Sequence, residues 1–266
     1  MKNIFSNEKM DLNKLYNIDC REGFKMIPDE SIDLIVTDCP YLLVSGGCSA
    51  GTYRTKKGHR QPGGIMNRQR ETKHISLSGV LNDAAENVRT GKMFEHNEIK
   101  FEEWLPECYR VLKEGTHCYI MINGRNLKDL QQAAEDAGFA YQNLLVWKKQ
   151  NATPNRYYLQ CLEFILMLRK GAARNVNDMG MINCLSVKNI IGNKCHPTEK
   201  PVPLMRIMIE QSSNKGDVVL EPFAGGGSTL IAAKRAERNY IGFEIDTKYY
   251  DIAQKRLTQE PIYALF

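Results

Sequence analysis

The sequence predicts an α/β protein with a doubly wound, mostly parallel sheet, and three observations support this class. Short apolar segments alternate with segments of helical periodicity along most of the 266 residues. The segment SIDLIVTD (31–38) contains a continuous apolar run, which is typical of a strand covered by helices on both faces. The chain is also long enough to bury one large core, and 42% of its residues are hydrophobic.

The N-terminal half contains three predicted strands, two predicted helices and one irregular segment. The strands are KLYNIDC (14–20), SIDLIVTD (31–38) and HCYIMIN (117–123). The helices are KFEEWLPECYRVLKEG (100–115), whose apolar residues share one face and which Gly115 is predicted to cap, and LKDLQQAAEDAGF (127–139). Residues 42–100 break the alternation and are rich in Gly, Ser and basic side chains, so they are predicted to be an insertion.

The C-terminal half begins with two strands and then returns to the α/β pattern. YQNLLVWKK (141–149) and CLEFILMLRKG (161–171) have no helix between them, which predicts antiparallel strands. Residues 171–194 are irregular. Two strands and three helices follow: PVPLMRIMIEQSS (201–213), DVVLEP (217–222), STLIAAKRAERN (228–239), YIGFEI (240–245) and TKYYDIAQKRL (247–257), with Ser228 and Thr247 as predicted helix caps. The predicted total is seven strands and five helices.

The net charge of +5 is concentrated in one segment. Residues 51–75 contain seven basic residues against Glu71 alone: Arg54, Lys56, Lys57, Arg60, Arg68, Arg70 and Lys73. The remaining residues are therefore almost neutral in sum. A basic segment of this kind attracts phosphate backbones by counterion release. Its Gly, Pro and Gln content is also compatible with a solvated loop, and one arm can serve both roles.

Several classes of protein are disfavoured by what the sequence lacks. No apolar run approaches the roughly 20 residues of a membrane span. The N-terminus has no apolar core of signal-peptide length, so we expect a cytoplasmic protein. The eight cysteines are scattered without Cys-x-x-Cys spacing, which predicts free thiols and no metal site.

A glycine loop and a later acid together indicate a nucleoside-containing cofactor. The strand DVVLEP runs into FAGGGS (223–228), where glycines let the backbone approach a ligand at the start of a helix. Glu244 ends the next strand, 19 positions after Gly225, which suits a carboxylate that binds ribose hydroxyls. Each feature alone has a simpler interpretation, a turn for the glycines and a helix cap for Glu244.

The tetrapeptide Asp38-Cys39-Pro40-Tyr41 follows a strand predicted to be buried. A carboxylate, a proline and an aromatic ring at this point form either an ordinary turn or a site for a flat, nitrogen-bearing ring. The tetrapeptide by itself does not decide between the two.

Three motifs together resemble the DNA amino-methyltransferases. VVLEPFAGGGSTLIAAKRAERNYIGFEID is similar to their S-adenosylmethionine-binding motif, HPTEKPVPLMRIMI to the cofactor-proximal motif that precedes it, and DCPY to the catalytic Asp-Pro-Pro-Tyr. The catalytic motif comes first, which is the permuted order of the β group. The resemblance covers residues 15–41 and 100–258. It implies a Rossmann-like methyltransferase fold in one domain spanning 1–266, with a seven-stranded sheet that includes an antiparallel strand.

The resemblance also implies roles for individual residues. Asp38 and the Cys39 carbonyl would accept the two N–H bonds of the target amine, Pro40 would form an apolar wall, and Tyr41 would stack on the base. The implied cofactor-binding residues are Phe223, Gly225, Gly227, Glu244, Thr198, Lys200, Asp19 and Cys20. Thr198 and Lys200 would border the methionine carboxylate, and Asp19 and Cys20 the cofactor adenine, although Asp19 could instead cap a turn.

Two residues depart from the family pattern. Cys39 replaces the first proline of the catalytic motif, and Glu221 replaces an aspartate. Glu221 keeps the charge, and position 39 needs to supply only a backbone carbonyl, so we expect activity to be retained. Covalent attack by Cys39 on a base is the alternative, but no other motif of the carbon-5 cytosine enzymes is present.

The predicted function is transfer of a methyl group from S-adenosylmethionine to adenine N6 in duplex DNA after base flipping. The leading aspartate of the tetrapeptide favours adenine. The alternatives are cytosine-N4 methylation, an RNA or protein-glutamine methyltransferase, and a non-catalytic DNA-binding relative. Residues 42–100 and 171–194 are the candidate DNA-recognition elements. The recognition sequence, a homodimer and a restriction endonuclease partner stay open at this point.

Overall fold

The computed structural model describes residues 10–40, 98–153, 157–192 and 195–259. The chain divides into two compact units. The larger comprises Met1–Tyr41, Glu98–Gln150 and Leu162–Phe266, and the smaller comprises Leu42–Asn97 and Asn151–Cys161. The prediction of one domain with an insertion at 42–100 stays a prediction, because most of the smaller unit lies outside the described residues.

The described residues form an eight-stranded sheet. In chain order its strands are β1 (Lys14–Tyr16), β2 (Ile32–Asp38), β3 (Leu112–Ile122), β4 (Ala140–Thr153), β5 (Gln160–Arg169), β6 (Cys184–Leu185), β7 (Val218–Glu221) and β8 (Asn239–Phe243). Their order across the sheet is β1-β8-β7-β2-β3-β5-β4-β6. The five strands from β1 to β3 are parallel, whereas β5 is antiparallel to β3. The predicted fold class, with its antiparallel element, is confirmed.

Six α-helices and one 3₁₀ turn accompany these strands in the described part of the chain. They are α1 (Cys20–Phe24), the 3₁₀ turn (Phe101–Glu103), α2 (Leu105–Val111), α3 (Leu127–Asp136), α4 (Val202–Ser212), α5 (Ser228–Arg235) and α6 (Thr247–Gln259). No helix among the described residues is both long and apolar enough to cross a membrane.

Two hydrophobic clusters cover the two faces of the sheet. Ile35 on β2 belongs to the cluster that contains α1, α2 and α3. Leu34 and Val36, whose side chains point to the other face, belong to the cluster that contains α4, α5 and α6. All three side chains are fully buried, which explains why β2 carries an uninterrupted apolar run.

Several local predictions were wrong at element boundaries. Helix α2 ends at Val111 because β3 begins at Leu112, so Gly115 lies within a strand rather than at a helix cap. The N-cap of α5 is Gly227, and Ser228 is its first helical residue. The sheet has eight strands rather than seven, because β6, which lies in the segment 171–194 predicted to be irregular, pairs with β4.

Candidate active site

The tips of β2 and β7 lie side by side. The two strands pair in parallel, with Leu34 opposite Val219 and Ile35 opposite Leu220. The chain therefore leaves β2 at Asp38 beside the point where it leaves β7 at Glu221. The carboxyl ends of parallel strands are the usual place for ligand sites in doubly wound sheets. The methyltransferase resemblance requires these two strand tips to meet, and the pairing of β2 with β7 places them side by side.

One cavity joins residues of both motifs. Its lining includes five residues predicted from the sequence: Asp38, Thr198, Lys200, Phe223 and Gly225. It also includes residues of the same segments that were not predicted to bind a ligand: His196, Glu199, Met205, Glu221, Ala224, Gly226, Ser228 and Thr229. The cavity therefore connects the end of β2, the segment that precedes α4 and the loop between β7 and α5.

Asp38 carries the principal charge on the β2 side of the cavity. Its Oδ2 accepts a hydrogen bond from Lys200 Nζ at 2.6 Å. Burial raises the pKa of Asp38 above its usual value, and the ammonium of Lys200 opposes this effect. A carboxylate held in a largely water-excluded position is able to accept N–H groups strongly.

The two residues after Asp38 differ in what they offer. Cys39 is buried, and its Sγ donates to the carbonyl of Met121 at 3.6 Å. Burial raises the pKa of the Cys39 thiol well above its usual value, which disfavours the thiolate that covalent catalysis requires. Pro40 is half-buried. Tyr41, the predicted stacking residue, lies outside the described residues.

Glu221 connects the two strand tips to helix α5. Its carboxylate accepts hydrogen bonds from Thr37 Oγ1 at 2.5 Å, Thr229 Oγ1 at 2.7 Å and the Phe223 amide at 3.1 Å. Burial raises the pKa of Glu221 to about 8 despite these donors. The glutamate at this position is accommodated, since these three hydrogen bonds connect its carboxylate to β2, to α5 and to the backbone of the glycine loop.

The glycine loop is held by the acid predicted to bind ribose. Gly225 and Gly227 have φ angles of 49° and 79°, which L-residues with side chains rarely adopt. The Gly225 amide donates to Glu244 Oε2 at 2.7 Å, and the Asp246 amide donates to Oε1 at 2.8 Å. Glu244 thus fixes the loop from the neighbouring strand, but it does not line the cavity described above, and its contact with ribose stays a prediction.

We expect Gly227→Ala to cost about 1–3 kcal/mol more unfolding free energy than Gly216→Ala, as measured by urea denaturation. Both glycines have positive φ, 79° and 85°, so both alanines carry similar backbone strain. A Cβ at Gly227 would lie 3.0 Å from the Cβ of Ala253, whereas a Cβ at Gly216 would meet nothing within 4 Å. Equal losses for the two variants would contradict this close packing.

Helix α5 presents an unsatisfied hydroxyl to the cavity. Among the described residues, Ser228 is buried and its Oγ has no hydrogen-bond partner. Buried hydroxyls are almost always paired, so an orphan at a helix N-terminus that lines a cavity indicates a ligand contact. The amide groups at this helix end favour a negatively charged or polar group.

Asp19 and Cys20 lie at the tip of β1, beside the strand that leads to Glu244. Asp19 caps helix α1 by accepting from the Arg21 amide at 2.8 Å, and it forms an ion pair with the Arg21 side chain at 2.6 Å. The Ile18 amide donates to the Glu244 carbonyl at 3.1 Å, so this segment is adjacent to the predicted ribose site. Neither Asp19 nor Cys20 lines the cavity described above, and their contact with the cofactor adenine stays a prediction.

The predicted DNA contacts are only partly described. Most of the insertion lies outside the described residues. So do all seven basic residues of the segment 51–75: Arg54, Lys56, Lys57, Arg60, Arg68, Arg70 and Lys73. The second candidate recognition element, 171–194, is described up to residue 192 and exposes Met179, Ile182 and Ile191. No cluster of three or more potential metal-ligating side chains occurs in the described ranges.

Sequence reasoning missed several residues in and around the site, and four of them make charged or aromatic contacts there: His196, Glu199, Arg256 and Glu163. His196 packs against Tyr249 with ring centroids 4.2 Å apart, and burial lowers its pKa to about 4. Glu199 and Arg256 form an ion pair at 2.8 Å. Two of the missed residues, His196 and Glu199, stand inside the quoted motif HPTEK. The fourth, Glu163, is an acid between the apolar residues Leu162 and Phe164 of β5, and that unusual position is the signal that could have identified it.

Comparison with known proteins agrees with this geometry. A family model described as DNA methylase, for N6 and N4 methyltransferases, matches residues 32–185 and 182–255. The Type II methyltransferase M.HinfI of Haemophilus influenzae is 30% identical over 93% of this chain and 69% of its own length. The Type II methyltransferase M2.DpnII of Streptococcus pneumoniae is 30% identical over 89% of this chain and 85% of its own length.

A solved structure shares the fold. The crystal structure of an M1.HpyAVI–SAM complex superposes with a TM-score of 0.60 and 23% identity, covering 91% of this chain and 98% of that one. The match of the family model over most of the chain and the two curated relatives together establish membership. The chain belongs to the DNA methylase family of N6/N4 methyltransferases.

Proposed function

We propose that this enzyme transfers a methyl group from S-adenosylmethionine to the exocyclic N6 amine of adenine in duplex DNA. One observation carries the proposal: the carboxylate of Asp38 and the glycine loop after β7 border the same cavity. An acceptor for an amine and a cradle for a nucleoside cofactor are thereby brought within one site.

The residues of the loop suit S-adenosylmethionine. The cradle formed by Gly225 and Gly227 lets a ligand approach the backbone, and the orphan Ser228 hydroxyl offers a polar contact. Glu244 is suited to the ribose hydroxyls, and Phe223 offers an apolar surface beside them. When bound, S-adenosylmethionine supplies an electrophilic methyl group on a sulfonium. The M1.HpyAVI structure of the same fold was solved as a complex with SAM, which supports this choice.

Asp38 and the Cys39 carbonyl act on the target amine. The lone pair of an adenine amine is delocalised into the ring, so the nitrogen is a poor nucleophile. Two acceptors that take its N–H bonds favour a tetrahedral nitrogen whose lone pair is available for attack. Positioning and fixed charges supply most of the rate enhancement. As the new N–C bond forms, the bond between the methyl carbon and the donor sulfur would break, leaving a neutral thioether, and the nitrogen would become acidic and release one proton to Asp38 or to water.

The target base must leave the duplex to reach Asp38. Rotation of the nucleotide costs a few kcal/mol, which stacking on Tyr41 and contact with Pro40 would partly offset. Residues 42–100, with their basic segment, and residues 171–194 are suited to hold the DNA backbone and read the sequence. The name Type II methyltransferase of both curated relatives supports a role beside a restriction endonuclease.

Methylation of cytosine N4 is the second candidate, because the family includes both activities. The same acceptor geometry serves either amine. The carboxylate of Asp38 at the head of the tetrapeptide favours adenine.

Mass spectrometry of nucleosides from treated DNA tests the proposal. Unmethylated DNA is incubated with the enzyme and S-adenosylmethionine carrying a trideuterated methyl group, and is then digested. We expect labelled N6-methyldeoxyadenosine. Labelled N4-methyldeoxycytidine would establish the second candidate instead. DNA binding without any labelled nucleoside would establish a non-catalytic relative.

A further inference from the structure

Lys200 lies between two carboxylates at the candidate active site. Its Nζ is 2.6 Å from Asp38 Oδ2 and 3.5 Å from Glu163 Oε2. The Lys200 side chain is only 7% exposed, and those of Asp38 and Glu163 are 19% and 21% exposed. The family resemblance assigned Lys200 to the methionine carboxylate, but the ammonium contacts the carboxylate that acts on the target amine.

The ammonium occupies an acceptor that the target amine requires. A buried carboxylate without a partner is costly, so a cation on Asp38 keeps it ionised before substrate arrives. An entering amine brings N–H donors to the same oxygen. The amine and the ammonium therefore compete for Asp38 Oδ2, and Lys200 needs a second acceptor nearby.

Glu163 is suited to be that second acceptor. It lies on β5, and Lys149 on β4 already forms an ion pair with it. Burial raises the pKa of Glu163, but Lys200 and Lys149 outweigh burial, so its pKa lies below the usual value. The carboxylate is thus ionised and able to receive Lys200 after a shift of about an ångström, within ordinary ion-pair distance.

The charges around Asp38 permit such a shift without exchange of protons. The groups that face Asp38 are Lys200 before α4, Glu163 on β5, Lys149 on β4, and Glu221 at the end of β7. Asp38 and Glu163 balance Lys149 and Lys200, and the pKa of Glu221 is raised to about 8 by burial. Movement of the ammonium from one carboxylate to the other leaves this balance unchanged.

We propose that Lys200 is a positioning residue that holds Asp38 Oδ2 as a stand-in for the target amine and shifts to Glu163 when the base enters. The proposal rests on the methyl-transfer function proposed above. It predicts that Lys200 keeps Asp38 ionised in the free enzyme and that Glu163 assists entry of the base.

Four variants test the proposal: Lys200→Met, Lys200→Arg, Glu163→Gln and the control Lys113→Met. The control removes a lysine paired with Asp33 at 2.6 Å, at the opposite end of the strand that carries Asp38. Single-turnover methyl transfer is measured from pH 5.5 to 9 on DNA carrying the mapped recognition sequence. Cofactor Kd, DNA KM and melting temperature are measured for each protein.

In Lys200→Met we expect the acid limb of the pH profile to move to higher pH. Burial raises the pKa of Asp38, and the variant lacks the ammonium that opposes this effect. Lys200→Arg keeps the positive charge, so its acid limb should lie at the same pH as that of the wild type. Glu163→Gln weakens the second acceptor, so we expect DNA KM to rise about tenfold, which corresponds to about 1.4 kcal/mol. Cofactor Kd should stay within twofold in all variants, and Lys113→Met should leave the profile unmoved.

Three outcomes would overturn the proposal. A lower rate in Lys200→Met with an unmoved acid limb would indicate a purely structural lysine. A tenfold rise of cofactor Kd in that variant would assign Lys200 to the methionine carboxylate instead. An unchanged DNA KM in Glu163→Gln would contradict the role of Glu163 as the second acceptor for Lys200. If Lys200→Met fails to fold, Glu163→Gln alone tests the proposal. Absence of methyl transfer by the wild type would instead refute the proposed function.

Discussion

Asp38→Ala is expected to lower the rate of methyl transfer by about 10²- to 10³-fold. The substitution removes the carboxylate that accepts an N–H of the target amine, an interaction that strengthens in the transition state. Affinity for S-adenosylmethionine should stay within a few-fold, because the glycine loop and Glu244 are untouched. Single-turnover rates and isothermal titration with S-adenosylmethionine measure the two quantities.

Asp33→Asn provides the control for this prediction. Asp33 lies near the start of β2, where its carboxylate accepts from the Val218 amide at 2.9 Å and from Lys113 at 2.6 Å. Its loss should lower stability and leave the rate of the folded enzyme almost unchanged. Near wild-type turnover in Asp38→Ala would contradict the role assigned to Asp38.

Glu244→Gln should raise the Kd for S-adenosylmethionine by about 10- to 100-fold, since a hydrogen bond to a charged group contributes about 1.5–3 kcal/mol. The amide keeps the shape of the side chain but weakens the acceptor for ribose hydroxyls and for the Gly225 amide. At saturating cofactor, we expect kcat to fall only a few-fold. Titration calorimetry and steady-state kinetics separate the two effects.

Glu237→Gln is the matched control at the other end of the same strand. Glu237 lies two residues before β8 and pairs with Lys215 at 2.5 Å, whereas Glu244 follows directly after β8. The control should leave cofactor affinity unchanged. A similar Kd for Glu244→Gln and the wild type would exclude the ribose role.

The sequence predicted the fold class because it depends on short segments with strong local signals. The buried run before Asp38 and the glycine loop before α5 each identify a strand that ends at the active edge. Strand order was not predicted from these segments, and it is the pairing of β2 with β7 that brings the two tips together.

The errors of prediction have physical causes. Periodicity continued the helix of residues 105–111 through Leu112, because an apolar residue suits either element and only pairing with β2 decides the matter. The Lys200–Asp38 ion pair joins residues 162 positions apart, a contact that no spacing rule reveals. Glu163 was overlooked since its partners come from β4 and from the segment before α4.

The strand order also constrains how the protein is made. In the described residues, the first strand of the chain pairs only with the last, since β1 lies at the sheet edge beside β8. Strand β2 likewise has β7 as a neighbour, so the centre of the sheet joins residues about 185 positions apart. During synthesis, β1 and one edge of β2 therefore stay unpaired until residues 218–243 have been made, although β2 can pair earlier with β3. We expect nascent chains that stop before Val218 to depend on chaperones until the missing strands arrive.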